Sequence, residues 1–143
     1  MKTIWYTVQA VLAALGGFIA WFLGGIDGYL YVLAAFIVAD YVTGVIGSIV
    51  EGRLSSRICA KGIFKKVLIL ILIGLSNMVD VYLLEGYGVF RTIVVFFYIS
   101  NEGISILENA HAIGLPIPIR LRNFLQQLRD EEDKKINKKE NVK

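Results

Sequence analysis

Apolar residues run along this chain in four long blocks, near residues 4–24, 29–50, 63–85 and 89–110, separated by short polar or glycine-rich breaks. Each block approaches the roughly 20 residues that a helix needs to cross about 30 Å of hydrocarbon. The breaks carry turn chemistry. Gly24-Gly25-Ile26-Asp27-Gly28 follows the first block, and Glu85-Gly86-Tyr87-Gly88 separates the third from the fourth. Between the second and third lies a polar loop, Glu51-Gly52-Arg53-Leu54-Ser55-Ser56-Arg57, leading through Lys61-Gly62. Gly114-Leu115-Pro116-Ile117-Pro118 ends the fourth segment, because proline cannot donate to the helical ladder and disfavours helical geometry in the residue before it. Beyond the prolines, Ile117, Leu121, Phe124, Leu125 and Leu128 recur at helical spacing opposite Arg120, Arg122, Asn123, Gln126 and Gln127. That spacing predicts a short amphipathic helix resting on the inner leaflet or on a neighbouring helix.

The pattern predicts an all-α integral membrane protein. It divides into a domain of four transmembrane helices over 1–112, a Pro-containing turn and amphipathic helix over 113–129, and a charged, solvated tail over 130–143. A three-span form with segment 4 at the interface is the alternative. The start, Met1-Lys2 followed by an apolar run from Ile4, has the look of a secretory signal. The run is longer than a signal's apolar region and continues through Trp21-Phe22-Leu23 with no small-x-small site after it, so a retained first helix is expected.

Composition agrees with a bilayer as solvent: 56% of the 143 residues are apolar and 19% charged, too greasy for an ordinary small soluble domain. The net charge of +3 matters less than its placement. With four spans, every Lys and Arg except Arg91 falls on one face: Lys2, the basic loop Arg53, Arg57, Lys61, Lys65 and Lys66, and the cluster after segment 4. The positive-inside rule makes that face cytoplasmic, with both termini inside. The single cysteine, Cys59, excludes an internal disulfide and offers no metal-ligand spacing. His111, alone near the inner end of segment 4, reads as an interfacial anchor. There is no set of nucleophile, base and orienter, no phosphate-binding glycine loop and no paired His/Cys cluster, so no enzyme, cofactor, metal or nucleic-acid partner is expected.

The residues that need explaining are the acids. Asp40, Asp80, Glu102 and Glu108 lie inside apolar segments, where an aspartate costs about 2.5 to 3.5 kcal/mol on insertion scales and therefore faces protein or water. At about 1.5 Å per residue, Asp40 lies about 16 Å and Glu102 about 20 Å from the outer face, both near the midplane. Their neighbours form stripes. Tyr98, Glu102, Ser105, Glu108 and Asn109 follow three- and four-residue steps along segment 4 from Arg91, with Asn101 beside them. That face either lines a pore or is buried in a static bundle. Asp40, Thr43, Gly44, Gly47 and Ser48 share one side of segment 2, and the small residues suit either intrachain packing or association of copies. In segment 3, Gly74, Asn77 and Asp80 share a side, and Asp80 or Glu85 is placed to pair with Arg91 across the short turn.

From about Asp40 to Leu128 the chain resembles the toxin-secretion/phage-lysis holin family. The resemblance rests on Asp40-x-x-Thr43-Gly44, on Ser55-Ser56 followed by Lys61-Gly62-Ile63-x-Lys65-Lys66, and on Asp80 late in segment 3. Its most specific stretch is Tyr98-Ile99-x-Asn101-Glu102-x-x-Ser105-Ile106-Leu107-Glu108-Asn109, followed by Gly114-x-Pro116-x-Pro118. It implies a protein of the bacterial cytoplasmic membrane that forms homo-oligomers and opens lesions through which an endolysin, or a secreted toxin, leaves the cell without required direct contact. The polar residues Asp40, Thr43, Asp80, Asn101, Glu102, Ser105, Glu108 and Asn109 are then candidates for pore lining or helix contact. Two other classes stay open on sequence: a small proton-coupled transporter using a membrane carboxylate, and an antiholin or accessory membrane subunit.

Overall fold

The computed structural model describes residues 1–121 and 123. Four helices follow one another: α1 (Lys2–Phe22), α2 (Gly28–Val50), α3 (Ser56–Leu83) and α4 (Val89–Ala112). All four are long and apolar enough to cross a membrane, so the chain is an all-α, multi-pass membrane protein. After Pro118 the chain is helical again at 119–121. The rest of the expected amphipathic helix, from Phe124 to Leu128, and the charged tail lie outside the described residues.

The helix ends follow local chemistry. At the end of α1, Gly24 and Gly25 take positive φ values of 82° and 91°, and the Gly25 N–H donates to the Ala20 carbonyl at 2.8 Å, a left-handed stop that favours glycine. Gly24 is constrained further, since a Cβ there would run into the Asn77 amide and the Arg91 guanidinium. Asp27 then caps α2, its carboxylate accepting the Leu30 N–H at 2.9 Å. The first turns of α3 differ from the sequence expectation. The helix starts at Ser56, well before the apolar run, so Arg57, Lys61, Lys65 and Lys66 stand on α3 and not in a loop. Lys and Arg are good helix formers whose long apolar stems can lie along a helix while the charge reaches polar surroundings.

The bundle buries little and exposes much. Leu23, Leu30, Leu33, Ile69, Ile73 and Val95 form its apolar core, while Trp5, Phe18, Phe64, Tyr82, Phe97 and many other large apolar side chains face outward. In water that surface would drive aggregation; in lipid it is the expected exterior. The broadest helix contact is α2 on α4, followed by α3 on α4, whereas α1 packs chiefly on α3 and buries none of its own residues. Small residues bring α2 and α4 together: a Cβ on Gly44 would sit 3.5 Å from Asn109 Nδ2, and one on Gly47 would sit 3.8 Å from Ile113 Cγ2. These two glycines of the segment-2 stripe therefore face α4 of the same chain, at distances where a Cβ would make ordinary contact.

Candidate functional site

Helical spacing puts Asp40 and Thr43 on the face of α2 turned to α4, and Glu102, Ser105 and Asn109 on the answering face of α4. Between them comes Lys66 from α3. Its ammonium donates to Asp40 Oδ2 at 2.5 Å and to Glu102 Oε2, forming a triad of two carboxylates about one cation. The side chains are 16% exposed for Lys66, 11% for Asp40 and 7% for Glu102. Asn109 completes the cluster, its Nδ2 donating to Asp40 Oδ1 and to Thr43 Oγ1, each at 3.0 Å. Thr43 Oγ1 in turn donates to the Asp40 carbonyl at 3.0 Å. Among the described residues no buried side-chain nitrogen or oxygen lacks a partner, as burial in a low dielectric requires. Such a network stays cheap only while every member stays in place.

A cavity of about 270 Å³ opens beside the triad, with Asp40, Ser48, Cys59, Lys65, Lys66 and Asn109 among its lining residues and Ser105 on its α4 wall. Its outer lining lies toward the bundle end that carries the 51–55 loop, and the Ser48 hydroxyl there is tied to the Gly44 carbonyl at 2.9 Å.

A second polar cluster closes the opposite end, where the two tight turns lie. Asp80 is 1% exposed and accepts the Phe90 N–H at 3.1 Å and the Arg91 N–H at 2.6 Å. The residue before α4 is Gly88, which has no side chain to offer, so α3 supplies the cap for α4. The Arg91 guanidinium ties that end to the first turn: Nε donates to the Leu23 carbonyl at 2.5 Å, Nη2 to the Gly25 carbonyl at 3.2 Å, and Nη1 to Asp27 Oδ2 at 2.7 Å. The expected pairing is thus corrected. Asp80 holds the backbone of Arg91, and the charge of Arg91 goes to Asp27. The Arg91 hydrogen bond, assisted by the Leu30 N–H and opposed by burial, holds the Asp27 carboxyl below the ordinary aspartate range. Asn77 adds a bond from Nδ2 to the Phe22 carbonyl at 3.2 Å.

The structure therefore divides the polar candidates. Asp40, Thr43, Glu102 and Asn109 meet in one network, Ser105 lines the cavity beside it, and Asp80 belongs to the other end of the bundle. Asn101 is exposed and Glu108 half-buried on α4. Of the five basic residues between 53 and 66, Arg53 pairs with Glu51 on the surface, Arg57, Lys61 and Lys65 are exposed, and Lys66 turns inward. Sequence reasoning counted Lys66 as a topological charge and missed it as the centre of the site. The signal was its position between Ile63-Phe64 and the run Val67-Leu68-Ile69-Leu70. Among the described residues no group of His, Cys, Asp and Glu is arranged to hold a metal ion.

The bacteriophage holin family model matches residues 17–130. An uncharacterized 14.9 kDa protein from the nagH 3' region of Clostridium perfringens is 42% identical, covering 92% of this chain and 100% of its own length. An uncharacterized Listeria monocytogenes protein, Lmo0128, is 40% identical over 80% of this chain and 81% of its own. A probable holin of Bacillus phage phi105 is 32% identical, covering 82% of this chain and 86% of its own. No solved structure matches.

Proposed function

We propose that this chain, which belongs to the bacteriophage holin family, oligomerises in the bacterial cytoplasmic membrane and opens lesions that release an endolysin, or a comparable secreted protein, from the cell. The observation that carries this reading is the triad of Asp40, Lys66 and Glu102 at the middle of a bundle whose outside is apolar. In the closed chain these groups satisfy one another across α2, α3 and α4. Separation of α2 from α4 turns the same groups, with Thr43, Ser105 and Asn109, into a polar lining that needs water. Several copies arranged around a common axis supply that water as a lumen, with the apolar exterior left against lipid. The packing of α2 on α4 is the bistable element.

In this reading the membrane domain comprises 1–112, the turn and helix over 113–129 lie at the inner leaflet, and the tail over 130–143 is cytoplasmic. The placement of every Lys and Arg but Arg91 on one face supports both termini inside. Induced expression in a bacterium, followed with a membrane-potential dye, tests the function. The potential collapses after a delay, and cells that also make a cytoplasmic endolysin lyse; Glu102→Leu shifts the time or extent of lysis. Unaffected growth at confirmed membrane expression refutes the reading.

A further inference from the structure

The charges of the triad do not balance. Two carboxylates, Asp40 and Glu102, face one ammonium, Lys66, so full ionisation leaves one uncompensated negative charge deep in the bundle. A buried unpaired charge is costly in a low dielectric, and a carboxyl so placed takes up a proton instead. Among the described residues no second cation bonds to the triad: Lys65 lines the adjoining cavity with Tyr41 and Cys59, but it is Lys66 that holds both carboxylates, with Asn109 on Asp40. On α4, Glu108 stands one residue before Asn109, and on α3 no other charged residue follows Lys66 until Asp80. Asp80 and Arg91 are engaged at the far end of the bundle.

The surroundings are also asymmetric. On one side the cavity leads from Asp40 and Lys66 past Ser48, Cys59 and Asn109 toward the end that carries the 51–55 loop. Its volume of about 270 Å³ holds several waters, each of which occupies about 30 Å³ in the liquid. On the other side stand Leu30, Leu33, Ile69, Ile73 and Val95, all buried, and the Arg91 ties beyond them.

We propose that the triad is a binding site for a single proton, reached by water from one face of the membrane only, through the cavity between α2, α3 and α4. Binding adds a proton from a hydrated proton in the cavity to one carboxylate, giving one carboxylic acid, one carboxylate and one ammonium with no net charge. Release leaves a net negative site that draws water into the seam between α2 and α4. The site stands on geometry alone. Its part in parting α2 from α4 rests on the proposed lesion, and a triad that titrates in a chain that never permeabilises membranes separates the two.

Infrared spectroscopy of the full chain in vesicles of uniform orientation tests the proposal, with Cys59 as a built-in marker of side. A membrane-impermeant maleimide added to one side or the other identifies the side from which the cavity is wetted. The expected result is a carboxylic-acid C=O band, about one carboxyl per chain, that disappears when pH is raised on the side from which Cys59 reacts and persists when it is raised on the other. Asp40→Asn and Glu102→Gln each abolish the band, since either leaves Lys66 a single carboxylate. Absence of the band in the unaltered chain, equal response from both sides, failure of Cys59 to react from either side, or persistence of the band in both variants overturns it. The tests on the unaltered chain hold even if a variant fails to fold.

Discussion

Replacing Lys66 with methionine removes the charge at the centre of the site while keeping an unbranched side chain of similar reach. Among the described residues Lys66 is the cation that bonds to both acids; without it Asp40 keeps the Asn109 amide, and Glu102 loses its cation. Breaking a buried ion pair by removing one partner costs about 3 to 5 kcal/mol, because the remaining charge is left uncompensated. At about 1.36 kcal/mol per tenfold change, that corresponds to roughly two to four powers of ten in the folding equilibrium. A companion variant isolates the cause. Asp40→Asn and Glu102→Gln added to Lys66→Met leave three neutral groups of nearly the same shape, and the amide that replaces the Asp40 carboxylate still offers an oxygen to Asn109. Such charge-free replacements of buried ion pairs are commonly neutral or stabilising, so the triple variant recovers most of the loss. The assay is reversible unfolding in mixed micelles at increasing SDS fraction, followed by helical circular dichroism. A Lys66→Met midpoint within about 0.5 kcal/mol of the parent, or a triple variant as unstable as the single one, refutes the claim that buried charge governs this seam.

Two further outcomes follow from the turn end and from α1. The Asp27 carboxyl is held low by Arg91, so its stabilising contribution is present above the ordinary aspartate range and is lost as pH falls through the lowered value in the folded state. Asp27 is 40% exposed, which makes the effect modest and salt-screened. Unfolding measured across the acid range at low and high salt is expected to show an acid limb that Asp27→Asn flattens. At Gly74 an added Cβ would overlap the Phe22 ring, whereas nothing lies near a Cβ on Gly16. Gly74→Leu is therefore expected to loosen α1 from α3 and expose the 23–27 turn to protease by more than tenfold in rate, with Gly16→Leu close to the parent; equal rates for the two contradict the packing.

Much of the architecture was legible in the sequence because a bilayer imposes a simple length rule. Four apolar blocks of the right length became four helices, and Asp40 and Glu102 stood out because lipid makes such residues expensive. Less legible was what they pair with. Lys66 lies 26 residues from Asp40 and 36 from Glu102, and no local pattern announces a contact at that separation. Its neighbours Arg57, Lys61 and Lys65 are exposed, and counting the group together as topological charge hid the member that turns in. The start of α3 was misplaced for a related reason: apolar runs mark where lipid begins, and a helix with basic first turns extends past that limit. Arg91 was paired with Asp80 or Glu85, acids nearer in sequence, yet its backbone N–H serves Asp80 on α3 and its guanidinium serves Asp27, the cap of α2. The glycines of α2 left packing and association of copies equally open until the position of Asn109 and Ile113 on α4 was known.

The central claim is that α2 and α4 must part for a lesion to open, and a reversible lock on that seam tests it most directly. A Cβ on Gly47 would lie 3.8 Å from Ile113 Cγ2, so Gly47→Cys with Ile113→Cys, in a chain carrying Cys59→Ser, puts one thiol on each side of that contact for oxidation to a disulfide. The full chain is reconstituted in vesicles loaded with a fluorescent protein, oxidised, and assayed for release before and after reduction, with thiol titration confirming closure of the bridge. Release is expected to be blocked in the bridged chain and restored by the reductant. Equal release from the bridged and reduced chains contradicts the account.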